Sequence, residues 1–356
     1  MNFEVLDSNQ DKEKWLKIYD NLPGNLRDIY SHPDYANMHK FVRGSKSLLF
    51  AFYDNDFFWI HTFIYQPINL DYLKINDFRW YDIESVYGYG GPISNTKNKK
   101  FILKANESFD SWAIENNVIA AFLRFNPLMK NEKLVNNKTN VVYDRDTISK
   151  NLKNFDYMNL PFNGKVKNMI KKAEKENVKI KLLDPLENFN SFKRLYISTM
   201  DTKKADDYYK FNETFFLKLS EFVKNNGFLI AAILERNWVA AAIFIKGGNA
   251  LNYHLSARNP KFRISGATNA IIAKGMDIGS RDNLGVLHLG GGNSNDPNDP
   301  LFRFKVKMGD TSNKYFIGKR IFNYDIYNQL KKEWRNAFPD MKNIYSKNLL
   351  CYRNIK

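Results

Sequence analysis

The sequence predicts an α/β protein in two halves, and three observations carry that expectation. The first is the stretch around Ala250–Gly292. Ala250–Ala257 (ALNYHLSA) is a β-rich run of period-2 character. Arg263–Thr268 (R-I-S-G-A-T) is a glycine-containing turn opening a helix that ends near Gly279, and Gly285–Leu289 is a second strand, closed by Gly290, Gly291 and Gly292. Strand, turn, helix and strand in that order make a βαβ unit, with parallel strands, a right-handed crossover and ligands beyond the carboxyl ends of the strands. Ser256, Arg263, Gly266, Ala267, Thr268, Gly290 and Asn293 then surround one crevice. The second observation is that the pattern of elements restarts near residue 150. The third is size: 356 residues, 44% hydrophobic and 15% aromatic, are long for one core and enough for two. The expected division is 1–150 and 151–356.

In chain order, residues 11–20 read as a short helix. Ser47–Tyr53 and Phe57–Gln66 are aromatic, β-branched runs joined by Asp54-Asn55-Asp56, the signature of a hairpin. Phe78–Val86 is a further strand running into Tyr87-Gly88-Tyr89-Gly90-Gly91-Pro92, where glycine permits positive φ and close backbone approach and Pro92 stops pairing. Residues 98–117 are a helix and Val118–Asn126 a strand. Arg124 is charged within that apolar run, so it must pair or bind an anion. Asn131–Asn140 reads as loop and Val141–Arg145 as strand. Beyond 150, Lys165–Asn177 is a basic helix, Val178–Leu183 a strand, and Phe189–Thr199 and Phe211–Asn225 are helices with Gly227 as a stop. Phe228–Glu235, Trp238–Lys246 and Ala250–Ala257 form a meander that turns at Arg236-Asn237 and Gly247-Gly248. After Gly309, Lys314–Phe322 is a strand and Tyr327–Ala337 a helix.

The balance of 54 basic against 38 acidic residues, a formal +16, favours anionic partners: CoA, nucleotide-sugars, nucleic acid or an anionic membrane. Lysine and asparagine richness of the whole chain accounts for part of it. The basic residues are spread out, with modest clusters at Lys97–Lys100 and Lys165–Lys181, and no basic tail or nucleic-acid motif accompanies them, so DNA is not an expected partner. No apolar run reaches transmembrane length, and the first residues lack the pattern of a signal peptide. The one cysteine, Cys351, excludes an intrachain disulfide framework; the expected location is the cytoplasm.

Several residues invite chemistry. His254 shares a strand face with Asn252 and Ser256 if the alternation is regular, and a neutral histidine at a crevice can take a proton from an attacking amine. The alternative is a histidine satisfied by a strand neighbour; for His288 that alternative is the stronger. The five histidines show no metal-ligand spacing, so no metal is expected. Gly290-Gly291-Gly292 lacks the G-x-G-x-x-G spacing of a dinucleotide loop. Tyr87 and Tyr89 can stack on a sugar or base, or pack within their turn. Asp206, Asp207, Tyr208 and Tyr209 precede a helix, where the acids either cap it or hold an amino-sugar.

R-x-x-G-A-T after a strand resembles the acyl-CoA pyrophosphate loop of the GNAT acyltransferases, with Thr268 departing at the last position. H-L-G-G-G, an Asn/Asp-rich loop and L-F-R-F-K-x-x-M-G resemble the signature of FemABX-like GNAT proteins, with Met308-Gly309 where Phe-Gly is usual. Y-G-Y-G-G-P at Tyr87–Pro92 is similar to a second signature of that group. The helix bearing Leu195-Tyr-Ile-Ser-Thr-Met200, followed by Ala205 and Tyr209, is similar to a third. The matches span Tyr87–Gly309. The resemblance implies two GNAT-like domains, each a mixed central sheet flanked by helices, the first on the acceptor side and the second on the acyl-CoA side.

It further implies an N-acyltransferase that moves an acyl group from acyl-CoA to the amine of a nucleotide-linked amino-sugar by direct attack on the thioester. Ser256, Arg263, Gly266, Ala267 and Thr268 would hold CoA. Tyr87, Tyr89, Gly90, Gly91, Arg124, Asp207, Tyr209 and Asn293 would hold the acceptor, with His254 and Lys305 at the reaction centre, Lys305 by its place in the F-K pair. Two alternatives stand beside this expectation. One is an aminoacyl-tRNA donor and a cell-wall precursor acceptor, although no long heptad-patterned helical arm is visible. The other is a non-enzymatic module for RNA or anionic lipid, which would leave the glycine motifs unused.

Overall fold

The computed structural model describes residues 3–73, 79–203, 210–262 and 264–355. Along the chain come β1 (Phe3–Asp7), α1 (Lys12–Asp20), α2 (Pro33–Asn37), β2 (Lys46–Asp54), β3 (Phe57–Pro67), β4 (Tyr81–Glu84), β5 (Gly91–Ser94), α3 (Lys99–Glu115) and β6 (Val118–Arg124). Then follow β7 (Asn140–Asn151), α4 (Gly164–Lys175), β8 (Lys179–Leu183), α5 (Pro185–Thr202), α6 (Glu213–Asn226), β9 (Gly227–Leu234), β10 (Asn237–Gly247) and β11 (Ala250–Arg258). The last elements are α7 (Ala267–Arg281), β12 (Val286–Gly291), α8 (Pro300–Met308), β13 (Thr311–Ile321) and α9 (Tyr324–Ala337).

These elements form two compact units. One holds Met1–Leu22, Tyr30–Asp144 and Tyr315–Lys356; the other holds Pro23–Ile29 and Arg145–Lys314. The main boundary falls near the expected residue 150, but the C-terminal stretch joins the first unit, where a single cut would assign it to the second. The reason lies in the core. Tyr327, Leu330 and Trp334 of α9, with Leu349, Cys351 and Tyr352, bury themselves against Ile119 and Ala120 of β6. The opposite side of the same strand packs Leu123 against the Phe101, Phe109 and Trp112 side of α3. A strand covered on both faces reads as the continuous apolar run seen in the sequence.

The first unit's sheet runs β1-β2-β3-β4-β6, with residues 317–321 of β13 on the far edge of β6 and β5 also paired to β3. The expected hairpin forms: Asp54 pairs Phe57 across a two-residue loop with Asn55 at φ 53°. In the second unit, residues 147–151 of β7 pair β12, and β11, β10, β9 and β8 follow in order. Its core gathers Val166 and Ile170 of α4 and Ala270–Ala273 and Met276 of α7 over Ile230, Ala242 and Leu251. Each unit has one parallel pair among its described strands, joined through a helix: β4 and β6 through α3, β11 and β12 through α7. The expected βαβ unit is therefore present, with a counterpart in the first unit. Among the described residues no helix is long and apolar enough to cross a membrane.

One buried group in the first unit makes a testable statement. His61 of β3 is 1% exposed among the rings of Trp59, Phe63 and Phe109, and its Nε2 has no hydrogen-bond partner among the described residues. Burial lowers its pKa to about 3. The folded state cannot take the proton that the unfolded chain binds below about 6.5, so stability is lost as pH falls through that value. His61→Phe should remove this dependence. Measured by urea unfolding, the variant should gain about 2 kcal/mol on the parent between pH 8 and pH 5. A pH-independent difference would show that His61 is not a buried neutral base.

Candidate functional site

The site is built on the way β11 and β12 part. They pair only where Ala250, Leu251 and Asn252 meet Val286, Leu287 and His288. Beyond that point β11 continues to Arg258 on β10, and β12 continues to Gly291 on β7, with no ladder between them. Each strand is held by its outer neighbour, so the sheet opens between their carboxyl ends.

A bulge lies on the β11 side of the opening. Leu255 pairs Ile243 and Tyr253 pairs Phe244, which leaves His254 as the extra residue. The bulge inverts the alternation: Asn252 and Leu255 now share one face and are buried, while Tyr253 and Ser256 share the other. The expected face of Asn252, His254 and Ser256 is therefore not formed. His254 stands at the irregularity itself, half-buried.

Ahead of the opening is the start of α7. Gly266 is its N-cap at φ 88°, ψ −10°, with no side-chain cap. The first intrahelical bond runs from Ala270 N–H to Gly266 O at 2.9 Å, so the amides of Ala267, Thr268 and Asn269 precede the helical ladder. Gly266 has a structural reason beyond any phosphate: a Cβ there would lie 1.8 Å from Met169 O of α4. Asn269 donates to Met308 Sδ at 3.2 Å, tying α7 to the end of α8. Arg263, expected to add a charged donor, lies outside the described residues, as do Asp206, Asp207, Tyr208, Tyr209 and Ala205. In the other helix motif the Thr199 hydroxyl donates to Leu195 O and accepts from Arg258 N, docking α5 on the end of β11.

The β12 side carries a charged cluster. Lys305 of α8, 8% exposed, donates from Nζ to Gly291 O at 2.7 Å. Arg145 of β7 donates to Gly292 O at 2.8 Å. Asp299 caps α8, accepting from Phe302 N at 2.9 Å, and with its second oxygen from Asn293 N at 3.2 Å. Burial pushes the Lys305 pKa down to about 7; Asp299 opposes that, and Lys203 and Arg145 reinforce it. His288 lies 3.0 Å from Thr147 Oγ1 and is held neutral, its pKa pushed to about 3 by burial and then by Lys305. Arg145, Thr147 and Asp299 were not singled out from sequence. An Asp-Pro pair just before a helix was the available signal for Asp299.

In the first unit the expected acceptor turn is ordered by packing. The Tyr35 hydroxyl donates to Tyr87 O at 2.8 Å, and the Tyr89 ring sits edge-on to Tyr30 and Tyr315. A Cβ at Gly88 would meet the Tyr30 ring at 2.5 Å and one at Gly91 the Phe125 ring at 2.8 Å. Gly90 O accepts from Asn131 Nδ2 at 2.8 Å. Arg124 donates to Ser85 O at 3.0 Å and pairs with Glu84 at 2.5 Å, so the charge within the apolar strand has a carboxylate partner.

The two parallel pairs differ at their carboxyl ends. In the first unit Arg124 of β6 grips Glu84 and Ser85 at the end of β4, and the pairing extends to a bridge between Gly90 and Phe125. Its helix α3 is capped by Asn98, whose side chain accepts from Lys100 and Phe101 N–H. The second unit has an opened pair and no side-chain cap on α7. Among the described residues no cluster of histidine, cysteine and carboxylate side chains is arranged to hold a metal ion.

No protein-family model matches the chain, and no curated protein matches it. Solved structures do. The crystal structure of FemX has a TM-score of 0.66 at 13% identity, covering 92% of this chain and 99% of that one. The C-terminal domain of a putative lysylphosphatidylglycerol synthetase from Agrobacterium fabrum has a TM-score of 0.56 at 8% identity, covering 88% and 92%. A tandem GNAT protein from the clavulanic acid biosynthesis pathway has 0.51 at 7%, covering 90% and 99%. The fold is a tandem GNAT fold. Each unit is a GNAT-like domain with a mixed central sheet flanked by helices, and the opened pair belongs to the second.

The packing of α4 on Gly266 can be checked directly. Gly266→Ala should lower the unfolding free energy by at least about 1–3 kcal/mol, the cost of left-handed strain in a residue with Cβ, while Thr268→Ala should stay within about 0.5 kcal/mol of the parent. Urea denaturation measures both. A Gly266→Ala protein of parental stability would mean that Met169 does not close on this loop.

Proposed function

We propose that the protein is an N-acyltransferase that moves an acyl group from acyl-CoA to the amine of a nucleotide-linked amino-sugar. The observation that carries this reading is the opened pair β11/β12 facing the uncapped start of α7. An extended acyl-bearing arm fits between strand edges that have no ladder between them, and a pyrophosphate fits the free amides and positive dipole end of a helix. Ser256, Gly266, Ala267 and Thr268 would line that donor path, with Arg263 as a further donor. Tyr87, Tyr89, Gly90, Gly91, Arg124, Asp207, Tyr209 and Asn293 remain the proposed acceptor residues.

The chemistry needs no enzyme nucleophile. The acceptor amine attacks the thioester carbonyl carbon, a tetrahedral oxyanion forms, and its collapse breaks the carbon–sulfur bond to release the CoA thiolate. The proton lost by the amine passes to His254 or to water, and one proton returns to the thiolate. Holding both partners in one geometry removes most of the entropic cost. A protonated Lys305 stabilises the oxyanion.

A second reading has its own support. A lysylphosphatidylglycerol synthetase, by its name, handles a lysyl group, and residues 23–29 and 145–314 hold 29 basic against 18 acidic residues. Both favour an aminoacyl-tRNA donor, the alternative in which a cell-wall precursor is the acceptor. A non-enzymatic polyanion module would share the charge but leave the opened strand pair without a purpose.

Calorimetric titration of RNase-treated protein with acetyl-CoA separates these readings. Saturable one-to-one binding supports the CoA donor; no binding, with retention of aminoacyl-tRNA, supports the second. For the enzyme, Lys305→Met should lower kcat by roughly 10²–10³-fold with little change in either KM. The charged form is required and its pKa lies near 7, so parental kcat should fall as pH rises through about 7. A kcat that rises through that value would make Lys305 the proton acceptor instead.

A further inference from the structure

Lys305 does not stand alone at the end of β12; it is one corner of a closed ring of contacts. Its ammonium donates to Gly291 O, and the neighbouring carbonyl, Gly292 O, takes Arg145. The next amide, Asn293 N–H, donates to Asp299 Oδ2, whose other oxygen caps the helix that carries Lys305. The loop lies so close to this cap that a Cβ on Gly292 would sit 2.7 Å from Asp299 Oδ1. Asp299 is itself only 7% exposed. One buried carboxylate therefore fixes both ends of the Lys305 contact: the carbonyl that receives it and the helix that delivers it.

The charges around the ammonium are unequal. Asp299 on its own helix is the anion; Arg145 from β7 and Lys203 from the end of α5 are cations, and His288 from β12 is neutral. Without the carboxylate, a buried ammonium would face positive neighbours alone, and the neutral amine would be favoured.

We propose that Asp299 is a positioning residue that seats Lys305 on the Gly291 carbonyl and keeps it protonated for catalysis. This rests on the reading of Lys305 as the charge that stabilises the oxyanion. It assigns Asp299 no contact with substrate.

Asp299→Asn is the discriminating variant, because asparagine keeps the cap on Phe302 N–H through its one carbonyl oxygen while losing the charge and the bond from Asn293 N–H. Two readouts are needed. In kinetics with the full-length enzyme, the basic limb of kcat should move down by about one pH unit, the usual effect of a nearby opposite charge. At pH 8 kcat should then fall about 10-fold, with near-parental values well below both limbs. In stability, no substrate is involved. An unfolded lysine titrates near 10.4, and the folded Lys305 near 7, so the unfolded chain binds more protons in between and stability climbs with pH in that window. Lys305→Met should lose this climb, and Asp299→Asn should start it about one unit lower. Asp299→Ser, another capping residue without charge, should behave like Asp299→Asn.

A displaced stability window in a protein inactive with acyl-CoA would uphold the role of Asp299 and defeat the acyl-CoA reading. An undisplaced window, with stability lowered equally from pH 6 to pH 9, would make Asp299 a helix cap only and overturn the proposal.

Discussion

Everything proposed for this protein depends on two parallel strands that stop pairing. β11 and β12 share a ladder only as far as Asn252 and His288. Backbone groups in a sheet interior normally find partners across the neighbouring strand, so a parting of this kind needs support from elsewhere. Here it comes from the outer edges, β10 on one side and β7 on the other, and from features that end the ladder. The bulge at His254 bends one strand, and Gly290 at φ 75° re-aims the other. Lys305 and Arg145 then hold the carbonyls of Gly291 and Gly292. The opening is thus a structured feature of the sheet.

The first unit shows what the same arrangement looks like when closed. Its parallel pair is gripped by Arg124 across Glu84 and Ser85, its crossover helix is capped by Asn98, and its glycines at 88 and 91 make room for Tyr30 and Phe125. Two units with the same strand–helix–strand plan therefore differ in the features that would admit an anionic donor. The contrast supports the proposal that a donor binds at the second unit, independently of the motifs.

Much of this was legible in the sequence. The strand, glycine turn, helix and strand of 250–291 could be read because periodicity and glycine punctuation are local properties. What was not legible is set by partners far away in the chain. The expected face of Asn252, His254 and Ser256 fails because a bulge is a register event between β11 and β10, and strand parity cannot foresee it. Arg124 was read as needing a partner, but its carboxylate, Glu84, comes from another strand. Gly266 was assigned to a phosphate, whereas the carbonyl of Met169, in a helix almost a hundred residues earlier, already demands a glycine. Asp299 was hidden in a polar loop, although its position before Pro300 marks it as a cap. Residues in the first unit's C-terminal stretch gave no sign that they would close the core begun by β6.

The central claim is that the opened pair in the second unit takes the donor. Hydrogen exchange read by mass spectrometry, with and without a non-reactive thioether analogue of acyl-CoA, tests it most directly. The account predicts slowed exchange in the peptides covering Asn252–Ala257 and Ala267–Ala270, with no change around Glu84–Pro92 or Lys99–Leu103. Protection at the start of α3, or none at either parallel pair, would contradict it.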